Sequence, residues 1–231
     1  MKRNNPSIEE LKNGDDYELL AEPEHDEIKS FVLSQLEKGG WLVKGFMVYQ
    51  AVMILLGLFI ITRAVVFSFK GIHEPLWYSI GTVIFCVTAL IIIHELLHGV
   101  AIKLTGAKNV RYGAYFKKFI FYAEADRHVF NRGQFTFIAL APLVVVKLIT
   151  VVGIIIFFSH PLVYVFTLIM CIHSLFCAGD IGLLSLFYSE ESEVFTFDSK
   201  EERKSYYFRK KYNFGQKKGS FYKLPQSHEN N

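Results

Sequence analysis

The sequence predicts an all-α membrane protein of about four transmembrane helices, with a small β-hairpin or strand insertion between helices two and three. Three observations carry this. The 231-residue chain is 52% hydrophobic and holds 22 Phe and 12 Tyr. Its apolar residues are gathered into blocks long enough to cross a bilayer as helices, which takes about 20 residues each. Between the second and third blocks, apolar residues instead recur at every second position.

The segment 1–44 is polar and acidic in patches, so it contains no cleavable signal peptide and the first span is expected to be a retained anchor. Within it, Ile28, Phe31, Val32, Gln35 and Leu36 form a short amphipathic helical stripe that ends at Gly39-Gly40. Such a helix lies on the membrane surface or packs on the protein. The four spans, about Gly45 to Phe67, Leu76 to Leu104, Gln134 to Phe158 and Pro161 to Phe187, make up one domain over 45–188. Their interiors are nearly free of charge, with Glu95, Lys147 and Asp180 as the exceptions. Lys147 is expected to snorkel or to find a partner. Cys86, Cys171 and Cys177 all fall within spans and lack CxxC spacing, which suits small buried hydrophobes and excludes a disulfide framework.

In the middle loop, Val110, Tyr112, Ala114 and Phe116 alternate with Arg111, Gly113 and Tyr115. Phe119, Phe121 and Ala123 continue the period after Lys117-Lys118, predicting one or two strands. An exposed edge there could pair with an extended peptide, or the hairpin could simply cover the mouth of the bundle. The tail, 189–231, interleaves Lys204, Arg209, Lys210, Lys211, Lys217 and Lys218 with Tyr206, Tyr207, Phe208, Tyr212 and Phe214. Beside a membrane, that composition suits anionic headgroups. A formal net charge of +3 is too small to argue for nucleic acid, and there is no internal repeat, P-loop or dinucleotide fingerprint.

Orientation follows from the basic residues. The loop between spans two and three carries Lys103, Lys108, Arg111, Lys117, Lys118, Arg127 and Arg132, while the connection at Ser159-His160 has no Lys or Arg. Both termini and the middle loop are therefore expected to be cytoplasmic, with the chain a multi-pass protein of the cell membrane.

The chemistry is concentrated in His94-Glu95-Leu96-Leu97-His98. Histidines four apart share a helix face, so both imidazoles can reach one zinc ion while Glu95 projects beside it as a base. A catalytic zinc usually takes a third protein ligand and keeps one position open for water. At a rise of about 1.5 Å per residue, His94 lies roughly 13 Å from the cytoplasmic end of span two. Asp180, about eight residues before the cytoplasmic end of span four, falls at nearly the same depth. It is the best third ligand on the chain, the alternative being a Gly179-Asp180 helix break whose carboxylate binds backbone or water. His173, two turns before Asp180, is read as a core histidine, with lining the cavity or bonding to a metal-bound residue as alternatives. Ala141-Pro142 bends span three at this depth, either as a tolerated kink or to shape the cleft.

With His94-Glu95-Leu96-Leu97-His98-Gly99 in one span, a β-prone loop, Ala141-Pro142 and then Gly179-Asp180, the chain resembles the zincin peptidase family of bacterial multi-pass membrane proteins. That family is similar to site-2 protease-type intramembrane zinc metalloproteases. The resemblance covers about Leu76 to Phe187. It implies Zn2+ held by His94, His98 and Asp180, with Glu95 as the catalytic base. The site-2 class carries an Asp-Gly pair within a proline-containing motif, whereas here Gly precedes Asp180 and Ile181 follows. The expected function is a zinc metallopeptidase that hydrolyses peptide bonds of a membrane protein or peptide substrate at a site facing the cytoplasm. The alternative is a non-enzymatic membrane protein that uses the same scaffold to bind a partner or lipid. A metal-dependent transporter would need an ion path that the four spans do not offer.

Overall fold

The computed structural model describes residues 5–115 and 120–211. Phe116, Lys117, Lys118 and Phe119 of the middle loop, and the tail residues Tyr212, Phe214, Lys217 and Lys218, lie outside them. The predominant structure is helical. Helix α3 (Trp41–Phe69), the run Glu74–Leu104 and helix α6 (Arg132–Ile156) are each long and apolar enough to cross a membrane. Helices α7 (Leu162–Phe176) and α8 (Ala178–Ser189) meet at a 48° bend and make a fourth span if counted as one. In the most apolar windows of the three long helices only 22%, 22% and 33% of residues are buried, so most of their apolar side chains point outward. Leu55, Phe59, Leu148 and Ile155 are among these. An apolar surface of this extent is tolerated in contact with lipid, not with water.

Small residues set the helix contacts. Gly57 of α3 brings that helix against Cys171 of α7, and Ile60 and Ala64 continue the seam onto Tyr164 and Leu168. Arg63, a charge within α3 that the sequence inventory of span interiors leaves out, lies over the rings of Phe67 and Tyr164, at 5.2 and 5.9 Å. Lys147 sits 4.7 Å over the Tyr49 ring, with its Nζ 3.4 Å from Met53 Sδ. Cys86, Cys171 and Cys177 are free and buried.

The amphipathic stripe forms helix α2 (Ile28–Lys38), which ends at Gly39 in the left-handed conformation. It packs on the protein. Val32 and Leu36 lie against Gly182 of α8, and Gln35 is only 4% exposed.

Outside the bundle the structure differs from the sequence expectation. Beside the expected hairpin there is a four-stranded antiparallel sheet, so the chain is a helix bundle with two small sheets. Its strands are β1 (Tyr17–Ala21), β4 (Phe130–Asn131), β5 (Val194–Ser199) and β6 (Lys204–Lys210), in the order β1-β6-β5-β4. Tyr206 and Phe208 are buried in it with Phe195 and Phe197, beneath Leu11 of the short helix α1 (Ile8–Lys12). Tyr207 faces the other way, onto Phe187 of α8. The aromatic residues of the tail are thus core residues up to Phe208. Arg209 pairs with Glu18 at 3.0 Å and Glu190 at 2.9 Å. This sheet draws the N-terminal segment, the middle loop and the tail to one end of the bundle.

The hairpin consists of β2 (Arg111–Tyr115) and β3 (Ile120–Glu124), paired from Arg111↔Glu124 to Tyr115↔Ile120. Helix α6 starts in a capping box, Asn131 and Gln134 bonding reciprocally at 3.0 and 3.1 Å. Asn5 joins both residues at 2.8 and 2.7 Å.

Candidate active site

The run Glu74–Leu104 is not a uniform helix. Helix α4 (Glu74–Phe85) passes through a π-helical turn, Cys86–Leu90, into α5 (Ile91–Leu104), which carries the HExxH residues. The wider turn rotates everything after it, and such turns concentrate at functional sites. His94 and His98 both face the bundle interior and are 5% and 8% exposed. Their Nε2 atoms face each other at 3.1 Å.

Asp180 completes the group from across the bundle. The break at Cys177 starts α8 anew, and Asp180 occupies the first turn of that helix, where the positive end of the helix dipole favours a carboxylate. Its Oδ1 lies 3.1 Å from His98 Nε2 and its Oδ2 3.3 Å from His94 Nε2. That Oδ2 is buried and accepts no well-aligned hydrogen bond.

The outer ring nitrogens are held as well. His98 Nδ1 is 3.0 Å from the carbonyl of Ile138, an acceptor only, so this nitrogen carries the proton. The proline at position 142 supplies that acceptor. In an unbroken helix the N–H of residue 142 would donate to Ile138 O, but Pro142 has no N–H and leaves the carbonyl free for the histidine. Pro142 therefore acts on the site directly, beyond a kink. His94 Nδ1 is 3.0 Å from His173 Nε2, and His173 Nδ1 is 3.8 Å from Cys177 Sγ. His173 is thus not merely a core histidine. It reaches His94 from α7, while Asp180 comes from α8 beyond the bend, an arrangement between elements that spacing along one helix does not reveal.

Two imidazole nitrogens and a carboxylate converging at 3.1 to 3.3 Å would repel one another unless a cation or proton lay between them. Zinc–nitrogen bonds of about 2.0–2.1 Å in a tetrahedral site put neighbouring donor atoms about 3.3 Å apart, so these residues fit zinc. His94, His173 and Cys177 form a second group with donor atoms within 4.8 Å, sharing His94 with the first. Pro142→Ala is expected to weaken zinc binding by about 10-fold or more, because the new N–H competes for the Ile138 carbonyl that orients His98. Chelator competition would measure this, with circular dichroism as the control for helix content.

These residues open onto a cleft of about 750 Å³. His94, Glu95, His98 and Asp180 line its inner end; α2, β3, α6 and the four-stranded sheet supply the other walls. Glycines make two of the close approaches around it. Tyr112 of β2 lies against Gly99, directly after the second histidine, in the space a Cβ would fill. Gly182, two residues after Asp180, admits Val32 of α2, whose Cγ1 would be 2.8 Å from a Cβ there. Gly182→Leu should wedge α2 off α8 at a cost of about 1–3 kcal/mol. A lower Tm together with faster amide exchange over residues 28–38 would register it.

Apolar helices of spanning length thus enclose an HExxH helix and a facing carboxylate, whose donor atoms fit zinc. The sequence model of the family described as "Putative zincin peptidase" matches residues 87–195. The matched stretch begins in the π-helical turn, contains residues 94–98, Pro142 and Asp180, and ends in β5. The similarity supports a zinc-peptidase family for this chain. No curated protein and no solved structure matches it.

Proposed function

We propose that the protein is a multi-pass zinc metallopeptidase of the cell membrane that cleaves a membrane protein or membrane-associated peptide from the cytoplasmic side. The observation that carries this is the convergence of His94 Nε2, His98 Nε2 and the Asp180 carboxylate within 3.1–3.3 Å, with Glu95 lining the same cleft. Zinc bound there would polarise the scissile carbonyl and lower the pKa of a coordinated water. Ile138 and His173 hold the two imidazoles with their Nε2 atoms inward, and Asp180 supplies the balancing negative charge. Glu95 takes the proton of the attacking water and returns it to the leaving amine. Strand β3 has one edge without a strand partner among the described residues and lines the cleft, so an unwound substrate segment could run along it. Exposed Lys210 and Lys211, at the end of the sheet, would meet anionic headgroups.

Comparing membrane proteomes of cells that carry the wild-type chain or Glu95→Gln tests this reading. A fragment released only by the wild type supports it, and identical proteomes oppose it. Topology is tested separately. Reporters fused after Tyr188 or within the 103–132 loop should be cytoplasmic, and one at Ser159 external, by the distribution of basic residues. An external signal from the middle loop would reverse the orientation.

A further inference from the structure

The outer end of the cleft contains a carboxylate that the hydrolytic chemistry does not use. Glu124, the last residue of β3, is 8% exposed and lines the cleft; its backbone pairs with Arg111 across the hairpin, but its carboxylate makes no hydrogen bond or ion pair among the described residues. A desolvated carboxylate without a partner is costly unless it is protonated or meets a cation. Burial pushes its carboxyl above the usual range, and Asp198 and Asp126 reinforce this, while His25 and Lys200 oppose it without pairing with it. Asp198 of β5 lines the same end and takes one hydrogen bond, from Ser205 Oγ to Oδ1 at 2.6 Å. Among the described residues no third donor closes on these two as on a metal, the only such groups being the two that contain His94.

The wall between the two ends is apolar, with Ile102, Ala123, Phe130, Phe135, Ile138 and Leu183. We propose that Glu124 and Asp198 form a subsite for a lysine or arginine side chain of the bound segment, so that the cleft takes an apolar stretch followed by a basic residue. That is the composition found where a transmembrane helix emerges into the cytoplasm. The cationic head would supply the partner that Glu124 lacks, as a charge-assisted hydrogen bond. Arg111, opposite Glu124 in the hairpin, and Lys29, on the α2 wall, are exposed and make no ion pair with Glu124 among the described residues.

The inference rests on the cleft being a peptide site, and binding can be read apart from cleavage. Fluorescent apolar decapeptides with one lysine, scanned through the positions, would be titrated by anisotropy into the full-length, detergent-purified Glu95→Gln protein, against the same peptides with norleucine. Lysine at one register should bind at least about tenfold tighter than norleucine. The preference should vanish in Glu95→Gln combined with Glu124→Gln, and fall in the version with Asp198→Asn. Glu124→Lys should instead favour glutamate at that register. Absence of any lysine preference, including absence of binding, would overturn the subsite, as would displacement of the lysine peptides by millimolar calcium or magnesium. A lysine preference with no cleavage of the same peptides by the wild type would retain the subsite and remove the peptidase.

Discussion

Glu95→Gln should lower peptide hydrolysis by about 10²- to 10⁴-fold, the range attributed to a positioned general base. The amide has the shape of the carboxylate but cannot take a proton from the attacking water. Glu95 is half-buried on the cleft side of α5, beside the two histidines but outside their contacts with Asp180, so the substitution leaves the converging donor atoms in place. Zinc content by metal analysis and thermal stability should therefore match the wild type. KM should change little, because the loss falls on proton transfer. A purified Glu95→Gln protein with wild-type turnover would remove the mechanism.

Asp180→Ala should reduce zinc affinity by more than about 100-fold, exceeding the 10- to 100-fold that loss of an outer hydrogen-bond partner typically costs. Among the described residues, Asp180 is the only carboxylate paired with both Nε2 atoms, at 3.1 and 3.3 Å. His173→Ala should fall within the smaller range, since His173 reaches His94 through Nδ1 and leaves the inward-facing nitrogen in place. The contrast between the two variants is the readout. Competition with a chelator of known affinity would measure both, and equal losses would assign His173 a place equal to that of Asp180. If Asp180→Ala retained zinc while His173→Ala and Cys177→Ala released it, the metal would belong to the other group that shares His94.

The spans, the HExxH helix and the hairpin alternation were legible because each is a local pattern. Period 3.6 places His94 and His98 on one face within a single helix, and a long apolar run specifies a span without reference to any other element. The four-stranded sheet was not legible in the same way. Its strands are short and mostly polar at the edges, and β1 pairs with β6, as Tyr17 with Lys210 and Leu19 with Phe208, across nearly the whole chain. The tail aromatics therefore read as an exposed basic segment until the partner strands supply the core that buries Tyr206 and Phe208. Arg63 carries no local signal for the opposite reason, as one charge within a run whose hydropathy remains high.

The sequence by itself determined the membrane-scale helices, the two histidines with Glu95 on one helical turn, and Asp180 as a carboxylate at matching depth, because spacing along a helix converts directly into distance. Tertiary structure alone decided which groups lie behind the histidines and where the cleft leads. The packing of α7 on α5 sets His173 against His94, Pro142 frees the carbonyl of Ile138 for His98, and β3 brings Glu124 into the same cleft as Glu95. These relations join residues about 40 or more apart or on different elements. They depend on rotations and close approaches between packed helices and strands, for which no local periodicity carries a signal.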